Sequence, residues 1–159
     1  MRLVELERKL TIFVVTGAGV GYARWMPGTV GTLLALLPSL GLNHLAGSAP
    51  FFAGLLLLLA IAAAIPLATR GAHFLKAKDP GAIVIDEILG FLVANFAAPL
   101  TLPVLIVALL LFRFFDIVKI VPISHLEKLP GGTGIILDDV MAGIYTYVAL
   151  RLLLYWEIL

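Results

Sequence analysis

The sequence contains no cysteine among its 159 residues. Disulfide bonds, thiol nucleophiles and thiolate metal sites are therefore excluded. Charge is also scarce, because 13% of the residues are charged whereas an average soluble domain has about 25%. The formal net charge is +1, and a nucleic-acid-binding protein normally carries a strong basic excess, so we expect no nucleic-acid partner.

Apolar residues take the place of the missing charges. They make up 62% of the sequence, and the mean hydropathy is +1.11. No charged residue lies between Arg24 and Arg70, or between Glu87 and Arg113. Because a helix that crosses a bilayer needs about 20 apolar residues, these stretches predict an all-α integral membrane protein with a single domain over residues 1–159.

The first uncharged stretch predicts two helices, over residues 29–45 and 51–68, kinked by Pro38 and Pro66. We expect residues 1–10 to form a short amphipathic helix that lies in the membrane interface. A frayed polar terminus is the alternative interpretation of the same ten residues.

The second uncharged stretch has two interpretations. A single span over 88–112 would place its flanking acids on opposite membrane faces. A helical hairpin that turns at Pro99–Pro103, with arms over 82–98 and 103–118, would return them to one face. Two prolines four residues apart indicate a turn, so the hairpin is favoured. A last helix over 138–158 completes a bundle of about five helices.

This topology gathers almost all basic residues at one end of the bundle, which the positive-inside rule identifies as the cytoplasmic end. They are Arg2, Arg8, Lys9, Arg24, Arg70, Lys76, Lys78, Arg113, Lys119 and Lys128. Arg151 is the exception, and we expect it to extend toward the opposite interface. The same topology places most of the carboxylates at the cytoplasmic end as well.

Acidic residues occur as pairs at the ends of apolar segments. Asp86-Glu87 precedes one such segment, and Asp138-Asp139 follows a run of glycines. A favourable helix dipole explains one acid at a helix start but not two beside so apolar a sequence. Acids within membrane segments are usually functional. Because Mg²⁺ prefers one or two carboxylates together with substrate phosphate, the pairs indicate a magnesium site.

Three further residues are spaced i, i+3 and i+6 on one helix stripe, namely Arg113, Asp116 and Lys119. This is either a structural ion-pair ladder or a site where cations bind a phosphorylated headgroup. Thr29 follows a glycine-rich loop at a predicted helix start. Its hydroxyl could bind an anion there, or it could simply cap the helix.

Four segments in order resemble the phosphatidylglycerophosphatase A family. They are Trp25–Gly31, Ile85–Gly90, Phe112–Lys119 and Gly131–Gly143, so the resemblance covers nearly the whole chain. It implies a Mg²⁺-dependent phosphatase of the bacterial inner membrane, with its active site facing the cytoplasm. The implied substrate is phosphatidylglycerophosphate, hydrolysed to phosphatidylglycerol and inorganic phosphate.

The resemblance carries over the acids Asp86, Glu87, Asp116, Asp138 and Asp139, with Thr29 and Lys119 as polar partners. The chemistry of phosphate release suggests their roles. We expect Asp86, Glu87, Asp138 and Asp139 to bind one or two Mg²⁺, and Thr29, Arg113 and Lys119 to bind the phosphate. Asp116 is either a further ligand or the general base, and the expected catalytic residues are Asp86, Asp116, Lys119 and Asp139, with water or a carboxylate as the nucleophile. The chain departs from the family pattern at Ile120-Val121-Pro122, where Pro-aromatic-Pro is usual.

Two other functions fit a small acid-rich membrane protein. A CDP-alcohol phosphotransferase requires a spaced aspartate motif that begins Asp-Gly, and this sequence contains no Asp-Gly dipeptide. A small cation transporter would carry acids near the bilayer centre rather than at helix ends. The phosphatase is the favoured hypothesis.

Overall fold

The computed structural model describes residues 2–76 and 81–159, so Lys78 and Asp79 lie outside the described residues. The described chain is helical, with a short 3₁₀ turn at Val20–Tyr22 and no strand. Its α-helices are α1 Arg2–Val15, α2 Pro27–Leu34, α3 Leu36–Ser48, α4 Pro50–Leu75, α5 Ile85–Ala94, α6 Leu102–Val118, α7 Ile123–Leu126 and α8 Gly132–Tyr155. The all-α prediction is confirmed.

The first predicted span is divided into α2 and α3 at Ala35. Pro38 explains the break, because a proline has no N–H to donate to the carbonyl of Leu34 four residues earlier. The second predicted span is longer than expected, since α4 passes through Pro66 and continues to Leu75. Within the described residues, α2 with α3 (Pro27–Ser48) and α4 are long and apolar enough to cross a membrane.

The predicted helical hairpin is present. Its second arm, α6, begins at Leu102 with a proline in its first turn, as expected. Its first arm is shorter than predicted, because α5 occupies only Ile85–Ala94. A rise of about 1.5 Å per residue makes α5 about half as long as a bilayer core is thick. Pro99 contributes to this early end by removing the amide that would otherwise bond to the carbonyl of Asn95.

The last helix begins six positions earlier than predicted. Gly132 already lies in α8, and its amide donates a hydrogen bond of 2.8 Å to Thr69 Oγ1 on α4. The cap of α8 therefore comes from another helix, which the local sequence could not show. As a result, Asp138 and Asp139 lie in the second turn of α8 rather than at its start.

Helix α8 is the centre of the bundle and packs against α4, α5, α6 and α7. A methyl group on Gly143 would collide with the carbonyl oxygen of Gly90, and one on Gly90 would come within 2.6 Å of the carbonyl of Asp139. The two glycines therefore allow the backbones of α5 and α8 to approach closely. This close approach brings the acids of α5 beside those of α8.

The outer surface of the bundle is apolar. Only 22% of the most apolar part of α4 is buried, whereas the core helix of a soluble protein is mostly buried. Large side chains of α4 are therefore exposed, among them Phe51, Phe52, Leu55, Leu56, Leu58 and Leu59. An apolar surface of this extent is typical of a protein surrounded by lipid.

The amphipathic N-terminal segment forms a longer helix than predicted, because α1 extends to Val15. Its end packs against α4, where Val15 is fully buried against Gly71. Glu7 and Arg70 add an ion pair of 3.2 Å between the two helices. Apolar side chains of α1 remain exposed, including Leu3, Val4, Leu6, Leu10 and Phe13. That arrangement is compatible with the predicted position in a membrane interface.

Candidate active site

Three carboxylates from two helices lie together at the end of the bundle. Asp86 and Glu87 occupy the first turn of α5, and Asp139 comes from the second turn of α8. One oxygen atom from each lies within 4.8 Å of the other two. Asp139 is almost completely buried, with 4% of its surface exposed. Three acids this close and this shielded repel one another unless they share protons or bind a cation.

The free oxygen atoms of this group fit a hard divalent cation. Asp86 Oδ1 and Glu87 Oε2 are buried and accept no hydrogen bond from any described residue. Buried carboxylate oxygens are normally hydrogen-bonded, so such atoms indicate a missing partner. Carboxylate oxygens are the ligands that Mg²⁺ prefers. The donor set therefore suits Mg²⁺, with room left for phosphate oxygen or water as further ligands.

Asp138 has a different environment from the other three acids. Its Oδ2 accepts a hydrogen bond of 2.8 Å from Lys119 Nζ, and its Oδ1 accepts one of 3.0 Å from the amide of Asp139. It lies beside the group of three but is not a member of it. The sequence-based assignment of Asp138 as a metal ligand remains a prediction, whereas its observed contacts position Lys119.

Lys119 ends α6 and reaches back toward α8. Besides Asp138, its ammonium contacts Glu127 Oε1 at 3.3 Å. Burial alone would lower the pKa of Lys119, but its hydrogen bonds and attraction to Asp138 and Glu127 outweigh this and raise the pKa. Lys119 is therefore a permanent cation. An ammonium has three N–H donors, so it can bind both acids and still offer one donor to a phosphate.

Arg113 and Asp116 form a pair on the side of the site that α6 contributes. Arg113 Nη1 lies 2.7 Å from Asp116 Oδ2, although the contact lacks the geometry of a hydrogen bond. Both side chains are mostly buried. Asp116 is a charged neighbour of Asp139, and Glu87 is a charged neighbour of both Arg113 and Asp116. The predicted stripe on α6 thus lies against the acid group rather than facing lipid.

The start of α2 closes another side of the site. Gly28 is buried, and a methyl group there would collide with Glu87 Oε1 and come within 3.1 Å of Arg113 Nη1. Thr29 follows it, and its hydroxyl is buried with no hydrogen-bond partner among the described residues. Thr29 therefore does not cap α2, whose N-cap residue is Met26. The hydroxyl remains available for a ligand.

These side chains surround a cavity of about 550 Å³. Six of the predicted site residues line it, namely Asp86, Glu87, Asp116, Lys119, Asp138 and Asp139. Thr29 and Arg113 do not line it, although Arg113 is a charged neighbour of Glu87, which does. The volume is within the range of about 300–1,000 Å³ typical of small-molecule sites. The cavity is large enough for a phosphorylated headgroup.

Sequence reasoning missed two residues of the site. Lys128 lines the mouth of the cavity with an exposed side chain, and Gly28 makes room for Glu87. For Glu127 the sequence left two interpretations, an exposed loop acid or a hydrogen-bond partner that orients Lys119, and the structure shows its contact with Lys119. Lys128 lies in a loop without helical periodicity, so only the fold could place it. Gly28 belongs to the quoted motif Trp25–Gly31, which was a usable signal for it.

Fold and site together define a helical membrane-type protein with a carboxylate-rich pocket for a phosphorylated ligand. Residues 13–154 match the family described as Phosphatidylglycerophosphatase A. The chain belongs to this family and is accordingly a phosphatase, a hydrolase of phosphoric monoesters.

Curated relatives agree with this assignment. A phosphatidylglycerophosphatase A of Haemophilus influenzae is 36% identical over 160 residues, covering 98% of this chain and 95% of its own. A phosphatidylglycerophosphatase A of Escherichia coli is 30% identical over 134 residues, covering 82% and 76%. A Bacteroides thetaiotaomicron protein named "Putative phosphatidylinositol-3-phosphatase" is 35% identical over 149 residues, covering 87% and 90%. No solved structure matches the chain.

Proposed function

We propose that the protein hydrolyses the terminal phosphate of phosphatidylglycerophosphate in a Mg²⁺-dependent reaction, at the cytoplasmic face of a bacterial inner membrane. The observation that carries the proposal is the group formed by Asp86, Glu87 and Asp139, with its unpartnered buried oxygens. The family and two relatives with that activity in their names support the choice of substrate.

Asp86, Glu87 and Asp139 would hold the Mg²⁺. When bound, the ion supplies positive charge to the phosphate oxygens and lowers the pKa of a bound water, which makes a nucleophile available at neutral pH. The acids otherwise oppose the substrate, because a phosphate monoester carries nearly two negative charges. Phosphate binding therefore depends on cations that face the same cavity.

Lys119 lines that cavity and provides one cation, and Arg113, which does not line it, adds positive charge beside Glu87. Asp138 and Glu127 hold the Lys119 ammonium beside the acid group, and one of its N–H groups can donate to a non-bridging oxygen. Arg113 is fixed by Asp116, and its Nε is buried without a partner among the described residues. Fixed donors of this kind stabilise the charge that develops during phosphoryl transfer.

Asp116 is the proposed proton acceptor of the reaction. It contacts Arg113 on one side, and Asp139 lies on the other. A carboxylate in this position can accept a proton from an attacking water. Thr29 contributes a buried hydroxyl that can donate to a phosphate oxygen.

Lys128 suits the second phosphate of the substrate. Phosphatidylglycerophosphate carries a phosphodiester besides the terminal monoester, and the phosphodiester remains with the lipid. Lys128 lines the same cavity but is exposed at its mouth, whereas Lys119 is held inside by two acids. We assign Lys128 to the phosphodiester, which phosphatidic acid lacks.

A second candidate substrate is phosphatidylinositol 3-phosphate, because one relative carries that activity in its name. It also combines a phosphodiester with a monoester, so the same cavity could accept it. The test measures phosphate release by purified protein from phosphatidylglycerophosphate, phosphatidylinositol 3-phosphate and phosphatidic acid. We expect the first lipid to be preferred, EDTA to abolish release and Mg²⁺ to restore it. Equal rates of phosphate release with and without EDTA would contradict the metal assignment.

A further inference from the structure

The far end of α5 carries a buried polar network that the proposed reaction does not use. Asn95 follows the last residue of α5 and is completely buried. The chain then leaves the helix, and Pro99 cannot donate to the Asn95 carbonyl. Backbone carbonyls at a buried helix end need other donors. The amide of Ala98 donates to the Asn95 carbonyl at 3.2 Å, and side chains from two other helices supply further donors to this segment.

Helix α3 provides the first set of bonds. Asn43 Nδ2 donates to the carbonyl of Asn95 at 2.9 Å, and the amide of Ala97 donates to Asn43 Oδ1 at 2.6 Å. Ser39, one turn earlier on α3, accepts a hydrogen bond of 2.7 Å from Asn95 Nδ2. Asn43 therefore satisfies one backbone acceptor and one backbone donor of the turn after α5.

Helix α8 provides the second set. Arg151 Nη2 donates to the carbonyls of Phe96 and Ala97, both at 2.8 Å. Its guanidinium also lies 4.9 Å from the centre of the Tyr147 ring. Arg151 therefore reaches the turn of the hairpin, which the predicted topology puts at the opposite membrane face, and its extension toward that interface stays a prediction. Arg151 binds the carbonyls of Phe96 and Ala97, which lie just beyond the end of α5 and accept no other backbone hydrogen bond among the described residues.

The two helices joined by Arg151 also carry the acid group. Asp86 and Glu87 begin α5, and Asp139 lies on α8 twelve residues before Arg151. The helices run in the same direction, so the acids meet at one end and Arg151 holds the other. A short helix fixed only at its acid end could shift along α8, and misplacement of catalytic groups by about 1 Å can cost about 100-fold in rate.

We propose that Asn43 and Arg151 are positioning residues, which set the axial position of α5 and thereby the separation of the three carboxylates. The proposal rests on the function of that group proposed above. The two residues touch neither substrate nor metal. Their effect on the reaction passes through the backbone of α5.

Hydrogen exchange tests the structural half of this proposal without any metal. In Arg151→Met we expect amides of residues 89–97 to exchange about ten-fold faster, because that end of α5 opens locally. Arg151→Lys keeps donors and charge and should restore most of the protection. Arg8→Met, which removes an exposed arginine of α1, is the matched control and should leave this segment unchanged. Asn43→Leu provides a second test should Arg151→Met fold poorly.

The Mg²⁺ dependence of activity and Mn²⁺ binding measured by electron paramagnetic resonance test the functional half. Both Arg151→Met and Asn43→Leu should raise the Mg²⁺ concentration for half-maximal activity, and the Kd of Mn²⁺, by about ten-fold, as is usual for residues that orient metal ligands. Arg8→Met should leave both values unchanged.

The possible results separate the two proposals. Unchanged exchange at residues 89–97 in both variants would overturn the positioning role. Faster exchange with wild-type Mg²⁺ and Mn²⁺ dependence would also overturn it. A wild-type protein that binds no Mn²⁺ and keeps its activity in EDTA would instead overturn the metal assignment, and exchange alone would then decide whether α5 is held as proposed.

Discussion

Replacing Asp139 by asparagine should have opposite effects on stability and activity. The substitution keeps size and one oxygen ligand but removes one of three negative charges within 4.8 Å of one another. At an effective dielectric constant of about 20, two unit charges 4.8 Å apart repel by about 3.5 kcal/mol, so removing one charge relieves two such repulsions. Proton sharing already relieves much of this in the metal-free protein, and we expect a net gain of about 1–2 kcal/mol.

Thermal unfolding in detergent with EDTA measures that gain. One kcal/mol shifts the midpoint by about 2–4 °C for a protein of this size, so Asp139→Asn should unfold about 3–6 °C above the wild-type protein. Mg²⁺ should raise the wild-type midpoint by mass action but leave that of the variant unchanged. Phosphate release by the variant should fall by at least about 100-fold, the usual cost of removing one stabilising group from an active site.

A matched control is Glu157→Gln, which removes an exposed acid near the end of the chain. It should change neither the midpoint in EDTA nor the response to Mg²⁺. The reasoning is refuted if Asp139→Asn lowers the midpoint in EDTA, because the acids then do not repel in the metal-free protein. A persistent Mg²⁺ response in the variant would refute it as well.

Three other substitutions test the remaining parts of the site. Lys119→Met should lower kcat at least about 100-fold, because a fixed phosphate donor is lost, and a wild-type kcat at saturating lipid would exclude that role. Gly28→Ala should lower activity about ten-fold or more, since its methyl group displaces Glu87. Its control is Gly47→Ala, because a methyl group on Gly47 would meet no neighbouring atom. Gly47→Ala should leave activity unchanged and stabilise α3 by up to about 1 kcal/mol. Lys128→Gln should raise KM for phosphatidylglycerophosphate about two- to five-fold, the value of an exposed ion pair, without affecting KM for phosphatidic acid. An equal rise with both lipids would contradict its assignment to the phosphodiester.

The sequence allowed the acids to be found but not their arrangement. Paired acids beside apolar segments marked Asp86, Glu87, Asp138 and Asp139 together. Choosing between Asp138 and Asp139 requires the rotation of α8, and a shift of one residue turns a helix by about 100°. That rotation depends on contacts with Gly90 and Thr69, which are remote in sequence.

The ends of the helices were likewise predictable only where a local signal sets them. Pro103 correctly marked the start of α6, because a proline in a first helical turn is a local signal. The end of α5 was missed, since Asn43 and Arg151 stabilise it from other helices. Local signals predicted which segments are helical, whereas contacts between distant segments determine where several of these helices begin and end. Such a contact also pairs Lys119 with Asp138.

The most direct test of the central claim is the position of a bound divalent cation. Crystals grown with Mn²⁺ can be measured at its absorption edge, where the anomalous signal locates the ion. The account predicts a peak among the carboxylates of Asp86, Glu87 and Asp139, and its loss in Asp139→Asn. A peak elsewhere, or none in protein whose activity Mn²⁺ supports, would contradict it.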